Sequence, residues 1–143
     1  MVKNRGQVSI EYLIVVGMVI FFVISMMGVA YYYSNNIKDQ MRMTQLQNFM
    51  NKVITSAETV YYSGEPSKVT INAYLPAGVN YLNVFSGCNG LYVKFQISSG
   101  ENIQCFESNV NIEIYAANPI TITEGLKRIS IIAENDKVVM EQV

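Results

Sequence analysis

Residues 13–33 carry no charged side chain, and this apolar run constrains the fold more than anything else in the chain. A helix that is apolar on every face requires lipid or a fully buried environment. Counted from Ile10 to Tyr33 at 1.5 Å per residue, such a helix is roughly 30–35 Å long, enough to cross the hydrocarbon core of a bilayer. In a chain of 143 residues this leaves room for one further domain. The chain is 50% hydrophobic, and the excess is concentrated near the N-terminus, so the remainder has ordinary globular composition with its charges spread singly.

What precedes the run is as informative. Lys3 and Arg5 form a basic head, and residues 6–12 form a polar junction before the apolar span. This is the layout of a membrane-targeting segment. In a secretory signal the small-residue cleavage site follows the apolar segment, whereas here the small residue, Gly6, comes before it. A cut at Gly6 removes a short basic leader and leaves the helix on the mature chain.

Gln7, Ser9, Glu11 and Leu13 resemble the Q-x-S-x-E-x-L signal of archaeal type IV pilin-like proteins, the class III signal peptide group. The resemblance is sharp over residues 3–33, and looser over 56–64 and 69–79; beyond Val84 only a general β pattern is shared. It implies that an aspartyl prepilin peptidase cuts the Gly6–Gln7 bond. The helix would sit in the membrane before assembly and then in the core of a helical homopolymer. An assembly ATPase and a polytopic platform membrane protein would be partners. It further implies an assembly role for Glu11, whose carboxylate would pair with the new N-terminal amine of an adjacent subunit. A carboxylate in a membrane helix costs about 2.5–3.5 kcal/mol at mid-bilayer and less near the interface, so such a residue usually has a partner. The alternative is an acid favoured by the helix dipole and solvated at the interface. Cyclisation of Gln7 to pyroglutamate would remove the amine's charge, and Glu11 would then need another donor.

Four segments are expected: a leader over 1–6, an apolar helix over 7–33, an amphipathic continuation over 34–64 and an extracellular β-rich domain over 65–143. Gly17 and Gly28 either permit close packing of neighbouring helices or are simply tolerated in lipid. Tyr31, Tyr32 and Tyr33 read as an interfacial aromatic belt. Ser34, Asn35 and Asn36 are where a kink or loosened turn is expected, because their side chains compete for backbone hydrogen bonds. An apolar stripe then runs through Ile37, Met41, Leu46, Phe49, Met50, Val53, Ala57, Val60 and Tyr61 at three- and four-residue steps. Gly64 and Pro66 end the helix.

From Ser67 onward the pattern has period two. Strands are expected over 68–75, 80–85, 91–97, 103–107, 110–115, 120–123, 128–133 and 138–141, with turn residues between them. The fold class is therefore α+β, a long N-terminal helix packed on an antiparallel β-sandwich or barrel-like domain. Tyr92, Lys94 and Gln96 alternate with Val93, Phe95 and Ile97, the mark of a strand with one face buried.

Several function classes lose support. The net charge of −1 becomes about −3 without Lys3 and Arg5, so no basic patch survives for nucleic acid. There is no His and no phosphate-loop, nucleophile-elbow or haem motif, so no catalysis, metal or cofactor is expected. Cys88 and Cys105, the chain's two cysteines, are expected to pair in an exported domain, with buried thiols as the alternative. The chain reads as a structural subunit of a surface filament, major or minor, with an adhesive role. A membrane-anchored monomeric binding module is the rival.

Overall fold

A computed structural model describes the backbone over residues 5–85 and 87–143, with side chains described from Ile10 onward. Residues 1–4 of the expected leader therefore lie outside the described residues, as do the surroundings of Gly6 and the side chains of Gln7 and Ser9. The chain divides into two compact units, one ending at Lys38 and the other running Asp39–Val143.

Helix α1 spans Arg5–Ser63. In the first unit its apolar side chains are exposed, among them Leu13, Phe21, Phe22 and Met26. The expected loosened turn does not occur: Ser34, Asn35 and Asn36 are helical throughout. Their local hydrogen bonding is a small term, and the helical sequences on both sides, apolar before and amphipathic after, propagate the helix through it.

In the second unit the helix packs against two sheets. The expected stripe is buried at Leu46, Phe49, Met50, Val53, Ala57 and Val60, with Tyr61 partly buried. Ile37 and Met41 do not follow it and stay 54% and 58% exposed. Burial in the domain begins with the partly covered Met43 and is complete at Leu46. The helix ends at Gly64, whose φ of 73° is the left-handed conformation that glycine adopts without steric cost.

Seven strands follow: β1 Lys68–Leu75, β2 Val79–Phe85, β3 Gly90–Ile97, β4 Gly100–Glu107, β5 Ile112–Ile114, β6 Gly125–Glu134 and β7 Lys137–Gln142. One sheet has the order β1-β6-β7-β5 and the other the order β2-β3-β4. All neighbours pair antiparallel except β5 and β7, which are parallel. Asn135 and Asp136, both with positive φ, make the tight two-residue turn between β6 and β7. The inner faces supply Ile71, Leu75, Ile129, Ile131 and Met140 from one sheet and Leu91, Val93 and Phe95 from the other. These join the helix residues in one core cluster.

The expected strand over 120–123 does not form. Its threonines are spaced correctly for a strand face, but their hydroxyls serve a different purpose. Lys127, buried on β6, donates from Nζ to Thr121 Oγ1 and Thr123 Oγ1, each at 2.8 Å. The Thr121 amide donates to Gln142 Oε1 at 2.7 Å, so this amide and both threonine hydroxyls are satisfied by side chains and not by a ladder.

Candidate functional site

Two surfaces carry the features from which a function can be read, and they belong to different units. The first is the N-terminal helix. Its most apolar window has a mean hydropathy of 2.8, with none of that window buried. By length and composition it can cross a membrane. At both Gly17 and Gly28, a Cβ would meet nothing within 4 Å. Glu11 is exposed and makes no hydrogen bond or ion pair among the described residues.

The second surface is the outward face of the three-stranded sheet. Alternation places Tyr81, Asn83 and Phe85 of β2 on this face, with Tyr92 and Lys94 of β3 and Ile103 and Cys105 of β4. Register brings them together: Asn83 pairs with Tyr92, Tyr81 with Lys94, and Cys105 with Tyr92. Tyr92 is therefore central. Its ring centroid lies 6.0 Å from that of Tyr81 at an interplanar angle of 74°, and 5.7 Å from that of Phe85 at 49°. Lys94 Nζ stands 5.9 Å from the Tyr92 centroid, at the outer reach of a cation–π contact.

Backbone chemistry explains why the rings stand as they do. A side chain on Gly87 would collide with the Phe85 ring, so glycine there leaves the ring its seat. Gly90 faces the Phe106 carbonyl too closely to carry a Cβ. Between them, Cys88 forms a disulfide with Cys105, the Cα atoms 6.4 Å apart. The expected pairing is thus formed, and it ties the β2–β3 turn to β4 beside the aromatic group.

Elsewhere in the second unit the helix is fastened by polar contacts from the loops and from β1. Asp39 Oδ2 accepts from the Ser98 amide at 3.0 Å, and these Ser98 hydrogen bonds hold its carboxyl below the usual carboxylate range. Lys52 Nζ donates to the Asn72 carbonyl at 2.8 Å. Glu58 Oε1 accepts from Asn109 Nδ2 at 2.9 Å. Tyr61 donates its hydroxyl to Asp136, a bond that raises the phenol above its ordinary value. Among the described residues no group of His, Cys, Asp and Glu is arranged to hold a metal ion.

The sequence reading singled out Glu11 and the two cysteines, but not the aromatic face. The signal was present in the alternation of Tyr81, Asn83 and Phe85, yet only the β2–β3 register sets Tyr92 between the two rings. Comparison of the chain with protein-family models, with curated proteins and with solved structures finds no match.

Proposed function

We propose that this chain is the precursor of an archaeal type IV pilin-like subunit, cut between Gly6 and Gln7 and polymerised through its N-terminal helix into a cell-surface filament. The observation that carries the reading is the exposed, uncharged stretch over residues 13–33, set immediately behind Gln7, Ser9 and Glu11. Burying a large apolar side chain from water is worth about 1.5–3 kcal/mol. A run of this length cannot stay in water, and lipid or a bundle of like helices must cover it.

Passage from bilayer to filament keeps these side chains dry throughout, so the hydrophobic effect alone does not drive it. Packing and polar contacts decide the balance. The small residues Gly17 and Gly28 would allow close approach by neighbouring helices, and Glu11 would supply a polar contact. The β domain would then lie on the filament's outer surface, in contact with the surroundings.

The test is the mass of the N-terminal peptide from protein recovered at the native cell surface. A peptide beginning at Gln7, with or without loss of ammonia, is expected; one beginning at Met1 or Val2 would overturn the processing. A Glu11→Ala chain should mature normally and yield few filaments, and an undiminished yield would remove the assembly role.

A further inference from the structure

The geometry points to a saccharide-binding site on the outward face of the β2-β3-β4 sheet, taking an uncharged hexose or N-acetylhexosamine unit against Tyr92. The face is hollowed, not flat. A cavity of about 450 Å³ is lined by Tyr81, Phe85 and Tyr92 together with Asn83, Lys94 and Glu101, a volume in the range of small-molecule sites. The Tyr81 and Phe85 rings pack edge-on and tilted against Tyr92, at 74° and 49°, so the aromatic surface is ridged and suits a compact occupant better than a broad flat one.

The polar groups narrow the chemistry. Lys94 and Glu101 make no ion pair or hydrogen bond among the described residues, and their charges cancel within the lining. A purely apolar ligand would strip water from both with nothing in return. An anion would meet Glu101, and a cation would meet Lys94. Asn83 Nδ2 already donates to the Tyr81 hydroxyl at 3.1 Å, which leaves the Tyr81 O–H proton free to be donated outward. Electron-rich rings that receive the C–H face of a pyranose, ringed by an amide, an ammonium, a carboxylate and a phenol that bond its hydroxyls, match an uncharged sugar on both counts.

The inference uses the proposed function only to place this face outside the cell. Binding by the purified chain depends on neither cleavage nor polymerisation, so the two can fail separately. The experiment is saturation-transfer NMR on the full chain in a zwitterionic detergent without sugar headgroups. Cellobiose and N,N′-diacetylchitobiose are the probes, and digalacturonate is the charged comparator. Transfer to the pyranose ring protons of a neutral probe is expected, with a dissociation constant on the order of 1 mM. Tyr92→Ala should weaken it about tenfold. Tyr81→Phe, which keeps the ring and removes an exposed hydroxyl together with the Asn83 hydrogen bond it accepts, should weaken it several-fold with the circular dichroism spectrum unchanged. Absence of transfer at about 10 mM of either neutral probe, a signal indifferent to both substitutions, or a preference for digalacturonate would each overturn the assignment.

Discussion

Met50→Ala tests whether the second half of the helix is part of the β domain's core. Met50 is fully buried within the cluster that joins α1 to both sheets. Truncation removes three heavy atoms, a transfer loss of about 2 kcal/mol, and leaves a cavity costing about 1 kcal/mol more. For a cooperative unit of about 100 residues, a loss of about 3 kcal/mol lowers Tm by roughly 12–15 °C. Met41→Ala is the matched control, because Met41 lies on the same helix at 58% exposure; it should cost under about 0.5 kcal/mol. Alanine's small advantage in helix propensity is common to both variants and cancels in the comparison. The assay is thermal unfolding of the full chain in detergent, followed by near-ultraviolet circular dichroism, since tyrosine packing reports on the β unit while the apolar helix dominates the far-ultraviolet signal. Equal shifts for the two variants would refute the placement of this helix face in the core.

Two more predictions concern the polar and covalent fastenings. The Cys88–Cys105 bond closes a loop with a sequence separation of 17; by chain entropy its removal in a Cys88→Ser, Cys105→Ser chain should cost about 3 kcal/mol, read as a fall in Tm in the same assay, and alkylation without reductant should find no free thiol. Asp39 has its carboxyl pKa lowered on folding by the Ser98 hydrogen bonds, so the contact contributes above the usual carboxylate range and is lost as pH falls through the lowered value. The Ser98 amide's exchange protection, corrected for its intrinsic rate, should fall on that acid limb, and Asp39→Asn should abolish the dependence; a pH-independent protection in the native chain would contradict the assignment.

Much of the fold is legible in the residues. Strand β1 falls on Lys68–Leu75 as the period-two pattern predicts, and β2, β3 and β7 lie within a residue of expectation, because Pro, Gly and Asn-Asp turns punctuate them. The failures share a physical origin: local pattern names a preference, while partners distant in sequence decide its outcome. Residues 120–123 alternate like a strand, but Lys127 and Gln142 take up the two threonine hydroxyls and the Thr121 amide. Ile37 and Met41 continue the stripe in sequence without being covered. The parallel pairing of β5 with β7 has no local signature at all. For the sites, Glu11 and the cysteine pair stand out because each is anomalous where it occurs, a carboxylate beside an apolar run and two lone thiols in a long chain. The aromatic hollow assembles from individually ordinary tyrosines through cross-strand register, which one strand's sequence does not encode.

The order of strands in the larger sheet has a consequence for how the protein comes into being. β7, the last strand in the chain, is interior: it lies between β6 and β5 and supplies a ladder to each. β5 therefore has no partner in its sheet until residues 137–142 arrive, and β6 has only β1. Val138 and Met140 of that strand are also fully buried in the core. A chain emerging N-terminus first can close neither the sheet nor the core over Leu46 to Val60 before β7 is delivered. Such long-range closure is slow by topology. A nascent or shortened chain ending before Lys137 would keep bare strand edges and an open apolar face. The fold of this unit thus closes late, because only a chain translated through β7 covers the strand edges and the helix face that the earlier elements leave open.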